Sequence, residues 1–205
     1  MSAPEIPQVY LLTPPAFDAE LFVPALSDIL DTLPVACLRL SLVADADTIA
    51  RAADRLRDAA HARDVPLVVD RHVGLVERLG LDGVHLTDGA RSVRATREDF
   101  GPDPIIGSFC GTSRHDGMSA GEAGADYIAF GPVADTGLGD GRIAPYDVFA
   151  WWSDMIELPV VAEGGLSPEL VAELAPYVDF FGIGPEIWGQ DDPLSALKTL
   201  CAPLW

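Results

Sequence analysis

Residues 158–167, LPVVAEGGLS, close an apolar run with a carboxylate and two glycines. The apolar part reads as a strand buried in a sheet, and the glycines after it as a tight turn or as room for a ligand. Seven further runs of strand length occur: QVYLLT (8–13), VACLRL (35–40), PLVV (66–69), DGVHL (82–86), PIIGSF (104–109), DYIAF (126–130) and DFFGIG (179–184). Amphipathic segments separate them. In residues 45–63, for example, Ile49, Ala52, Ala53, Leu56, Ala59 and Ala60 fall at helical spacing among Arg51, Asp54, Arg55 and Asp58. Near-continuous apolar strands alternating with amphipathic helices call for a parallel sheet covered by helices. Eight such units predict a single (β/α)8 TIM barrel over 1–205. An open doubly wound sheet is the weaker alternative, because the first turn, Thr13-Pro14-Pro15, lacks a glycine-rich fingerprint.

Composition narrows the partners. Lys plus Arg is 13 against 32 for Asp plus Glu, a formal charge of −19, which repels nucleic acid and acidic membranes. No signal-like segment and no long apolar run is present, so a soluble, cytoplasmic protein is expected. Cys37, Cys110 and Cys201 are too scattered for a disulfide framework or a metal motif and read as buried thiols.

In a barrel of this type the reactive site lies at the C-terminal ends of the strands, and phosphate commonly binds after strands seven and eight. Gly164, Gly165 and Gly184 stand there and are candidates to present backbone N–H groups to a phosphorylated ligand; tight turns alone are the competing explanation. Ser167-Pro168-Glu169 has the pattern of a helix start. The other strand ends supply Arg39, Asp70, Arg71, His72, His85, Asp88, Cys110, Ser113 and Thr136. Arg39, inside an apolar run, needs either a ligand anion or a structural partner such as Asp70 or Asp88. His85 reads as a core histidine, and His72 and His115 as residues at helix starts. The glycine-rich stretch 131–145 is either a mobile active-site loop or a plain linker.

Three segments carry a family resemblance: PLVVDRHVGLVERLGLDGVHL, IIGSFCGTSRHDGMSAGEAGADYIAFGPV and LPVVAEGGL. In that order, over roughly residues 35–187, the chain resembles thiamine phosphate synthases and the related thiazole tautomerases. The resemblance implies a transferase that joins hydroxymethylpyrimidine pyrophosphate to a thiazole phosphate with Mg2+, the pyrophosphate leaving first. It implies roles for Arg39, Asp70, Arg71, Ser113 and Thr136 in catalysis, with Asp70 and Asp88 as metal ligands. Several family positions differ. Ser41 stands for a lysine, Asp70-Arg71 for an Asn-Asp pair and Ala90 for a metal carboxylate. Leu138-Gly139-Asp140 meets a lysine, Glu163 an apolar residue and Pro185 a serine. These changes predict weak Mg2+ binding, and a catalytically silent phosphate-binding or regulatory barrel is the alternative function. The tautomerase reading wants a histidine after strand five, where Gly111 and Thr112 stand. A homo-oligomer is compatible with the sequence.

Overall fold

The structure, a computed structural model, describes residues 6–205, so residues 1–5 of the expected domain lie outside the described residues. Eight parallel strands close in sequence order: β1 (Gln8–Leu12), β2 (Val35–Leu40), β3 (Leu67–Asp70), β4 (Gly83–Leu86), β5 (Ile105–Phe109), β6 (Tyr127–Phe130), β7 (Val160–Glu163) and β8 (Phe180–Ile183). β8 pairs with β1 through the register Val9 to Phe181 and Leu11 to Ile183, which completes the (β/α)8 barrel expected from the sequence.

Period-two alternation explains the two cores. Val9, Leu11, Leu38, Leu40, Val84, Ile128 and Phe181 face outward into the main core, against the helices. Tyr10, Leu12, Cys37, Val68, Tyr127, Ala129 and Val161 form a second, smaller cluster inside the barrel. Interior glycines are placed opposite large side chains. A Cβ at Gly107 would meet the Tyr127 ring at 2.0 Å, and one at Gly182 would meet Glu163 Cβ at 2.8 Å. The barrel is therefore filled, with no through-channel needed to explain its small residues.

Helix starts follow from local chemistry. Asp18 caps α1 (Ala19–Thr32) and Asp45 caps α2 (Ala46–His61), each accepting two backbone N–H bonds. α3 (Val73–Leu79) begins after His72, and α4 (Val93–Phe100) after Ser92. Ser113 caps α5 (Arg114–Ala123) by accepting from Asp116 N. α6 (Tyr146–Met155) buries Trp152 edge-on to Phe130, with ring centroids 5.2 Å apart. α7 (Pro168–Leu174) has Ser167 as its cap and proline in the first turn, as its sequence pattern predicts. The short α8 (Pro185–Trp188) leads to α9 (Pro193–Cys201). All three cysteines are buried and free.

Candidate functional site

Arg39 sits on β2 facing the barrel interior, 5 % exposed. Its Nη2 lies 2.8 Å from Glu163 Oε2 and its Nε 3.3 Å from Asp70 Oδ1. Of the two structural partners expected for it, Asp70 is present and Asp88 is not, while Glu163 is the closer counter-charge. Burial opposes the guanidinium charge, but Glu163 and then Asp70 outweigh it and hold the Arg39 pKa above the ordinary arginine value. Glu163 ends β7 facing inward instead of standing in the turn, and it is 1 % exposed. Its contact with Arg39 is an ion pair, and neither carboxylate oxygen has a further hydrogen-bond partner. Burial pushes its pKa up and Arg39 pulls it partly back.

The network continues across the barrel. Arg39 Nη1 lies 3.1 Å from His85 Nε2, and His85 Nδ1 lies 2.9 Å from the Tyr127 hydroxyl, which pairs in turn with the Tyr10 hydroxyl. A guanidinium only donates, so Nε2 accepts and Nδ1–H donates to Tyr127. Burial and then Arg39 push the His85 pKa down, consistent with that neutral tautomer. His85 is fully buried, the core role expected for it.

The loops after β7 and β8 hold a second arrangement. Gly165 N and Leu166 N donate to Glu186 Oε1 at 2.9 and 3.2 Å, and Gly184 N donates to Glu186 Oε2 at 3.0 Å. Three backbone donors from two loops converge on one carboxylate, each a charge-assisted bond. The paired glycines also have a packing reason: Gly165 has φ +85, and a Cβ there would lie 2.8 Å from Ala134 Cβ and 2.9 Å from Thr136 Cγ2. The loop 131–145 thus packs directly on this turn, with Val133 N bonded to Gly164 O at 2.8 Å.

A cavity of about 690 Å³ lies at the C-terminal ends of β4 and β5. Asp88, Asp116 and Asp140 line it together with Arg91, Arg142 and the capping Ser113. Three carboxylates thus face two guanidinium groups, and Arg142 Nε is already 2.7 Å from Asp140 Oδ2. The other sequence candidates are dispersed. Arg71 is exposed with φ +61, and Thr136 Oγ1 accepts from Leu138 N at 3.2 Å. Asp70 belongs to the Arg39 cluster, whereas Asp88 accepts from Ser92 Oγ at 2.6 Å. Among the described residues no three His, Cys, Asp or Glu side chains group to hold a metal, so these residues do not fit a preassembled Mg2+ site. No described helix is long and apolar enough to cross a membrane.

A closed eight-stranded barrel with polar groups and a cavity at the strand C-termini defines a small (β/α)8 barrel of the kind that carries its site on that face. The chain belongs to the thiamine monophosphate synthase family, whose profile matches residues 9–180. It is 40% identical over 186 residues to a thiamine-phosphate synthase of Rhodospirillum centenum, covering 89% of this chain and 90% of that one. A thiamine-phosphate synthase of Hyphomonas neptunium is 33% identical over 207 residues, covering 95% and 92%. The fold matches thiamine phosphate pyrophosphorylase from Pyrococcus furiosus with a TM-score of 0.82 at 23% identity, covering 96% of this chain and 95% of that one.

Two contacts escaped sequence reasoning, the bonds to Glu186 and the pairing of Glu163 with Arg39. Glu186 was hidden because two of its donors lie 20 or more residues away. Glu163 was legible in principle: counting by two from the inward Val161 turns it inward, and the same count from Cys37 turns Arg39 toward it.

Proposed function

We propose that this chain acts in thiamine biosynthesis as a divergent condensing transferase, joining hydroxymethylpyrimidine pyrophosphate to thiazole phosphate. The family membership across residues 9–180 carries this reading, and the polar cavity at the barrel mouth supports it. In the reaction the bond between the pyrimidine methylene carbon and the pyrophosphate oxygen breaks. The electron pair leaves with the pyrophosphate, and the thiazole nitrogen lone pair forms the new C–N bond. Arg91 and Arg142 are the cations available in the cavity to stabilise the departing charge, with the Ser113 hydroxyl beside them. Arg39 and Asp70 act in this reading as a charge pair at the base of the site, and Arg71 and Thr136 flank it.

Loss of one preorganised charge contact costs on the order of 10²-fold in rate. With Arg39 neutralised by Glu163 and carboxylates outnumbering cations in the cavity, turnover is expected at least about a hundredfold below that of an ordinary family member. The test is a product-formation assay with purified protein, both family substrates and Mg2+, run beside an intact synthase. Turnover at the control's rate would refute the divergence. No product at any protein concentration would reject condensation and favour the second reading, a silent ligand-binding barrel. The internal counter-charges Glu163 and Glu186 are the observation that favours it.

A further inference from the structure

We infer that the outer face of α1 and α2 is a self-association surface, on which a second copy of this chain packs its own α1. The inference stands apart from the condensing reading above, since it uses no residue of the cavity at the ends of β4 and β5.

Two cavities, of about 290 and 690 Å³, share Ala19, Glu20 and Arg55 and so form one continuous groove between the two helices. From Thr48 to Arg63 the groove follows α2 and the turn after it for roughly 22 Å, the length of a four-turn helix. Val23 on α1 and Ala59 on α2 line it with short side chains, which lets another helix approach at the spacing of packed helices. Leu21, next to the lining residue Glu20, is 80 % exposed, more than any other large apolar side chain among the described residues. Such a side chain gains by burial against a partner.

Charge decides the occupant. Four of the chain's 13 cationic side chains, Arg51, Arg55, Arg57 and Arg63, fall within residues 51–63 of a protein whose formal charge is −19. Arg55 and Arg63 reach across to Glu20 and Asp31 of α1, whereas Arg51 meets only the Thr48 hydroxyl among the described residues. The groove therefore complements a helix that carries carboxylates, a protruding apolar residue and no cation. α1 has that composition. Helical spacing puts Glu20, Leu21, Asp28 and Asp31 on one exposed face, and the helix contains no Lys or Arg. One surface thus supplies both the groove and its filling, as a two-fold symmetric contact requires. Two copies repel through their net charge, so they meet where Leu21 is buried and where the acids of α1 face the partner's arginines.

The test is sedimentation velocity on the full chain between about 1 and 100 μM, with Leu21→Glu, Arg51→Glu and, on α6, Met155→Glu as variants. All three side chains are exposed, so the variants should keep the fold, which circular dichroism verifies. The wild type should sediment as a dimer at the upper end of that range, and Leu21→Glu and Arg51→Glu should each raise the dimer Kd at least about tenfold. Met155→Glu adds the same charge at another exposed apolar position and should leave the Kd within about twofold. A wild type that stays monomeric at about 100 μM would overturn the inference and leave the groove to a different partner or to none. A dimer whose Kd is unmoved by Leu21→Glu or by Arg51→Glu would overturn it as well. So would a loss with Met155→Glu as large as that with Leu21→Glu, because added charge anywhere on the surface would then explain both.

Discussion

The Arg39–Glu163 contact makes a quantitative prediction about what holds the barrel mouth together. At an effective dielectric constant of about 20, opposite charges 2.8 Å apart attract by about 6 kcal/mol before desolvation is subtracted. Both side chains are almost fully buried, so solvent screens little of this and desolvation cancels much of it. Arg39→Met strands Glu163 and Asp70 as neighbouring buried carboxylates and should cost about 4 kcal/mol, lowering Tm by roughly 8–16 °C for a chain of this size. Glu163→Gln leaves Arg39 with Asp70 at 3.3 Å and should cost less, about 2 kcal/mol. In the double variant only Asp70 is left unpaired, so the two losses should fall short of adding by about 2 kcal/mol. Urea denaturation of the four proteins, followed by tryptophan fluorescence, measures this coupling. A value below about 0.5 kcal/mol would refute the claim that Glu163 is held by Arg39.

Two further predictions follow from neighbouring groups. His85 is neutral in the fold because burial and Arg39 depress its pKa, while the unfolded chain takes up the proton near pH 6.5. Its contribution is therefore complete above that pH and is lost as pH falls toward the folded value, at up to about 1.4 kcal/mol per pH unit. The raised pKa of Glu163 has the opposite sign, its contribution being present below 4.5 and lost as pH rises, so Tm against pH from 5 to 8 should be compared between wild type and His85→Gln. The variant should show the flatter acid slope, and parallel curves would exclude His85 as the source. Gly165→Ala places a methyl 2.8 Å from Ala134 Cβ at φ +85 and should cost about 3 kcal/mol, or roughly 6–12 °C in a thermal melt; an unchanged Tm would show that the 131–145 loop yields freely.

The strands were legible because each carries its own signal, a short apolar run bounded by turn chemistry, and Ser167 marked where one helix begins. The site was legible only where one residue speaks for itself. Arg39 in an apolar run demanded a counter-charge, and the structure supplies two. Arg71 and Thr136 gave no such signal, since a residue beside a strand end can face outward as easily as into the mouth, and Arg71 does face solvent. The glycines at 164, 165 and 184 had two explanations from the start. The close packing of Ala134 and Thr136 on Gly165, and of Leu12 on Gly184, shows that loop geometry alone already requires small residues there.

The two carboxylates give this barrel a self-sufficient electrostatics. A buried guanidinium and three converging N–H groups would ordinarily be costly unless an anion met them. Here Glu163 meets the first and Glu186 the second, both from within the chain. A protein arranged this way gains less from an anionic ligand, because binding must first break contacts that the fold already makes. The wild type should therefore show little thermal stabilisation by inorganic phosphate or pyrophosphate, whereas Glu163→Gln and Glu186→Ser each uncover one set of donors that such an anion can satisfy. Both counter-charges come from single positions, Glu163 at the end of β7 and Glu186 in α8.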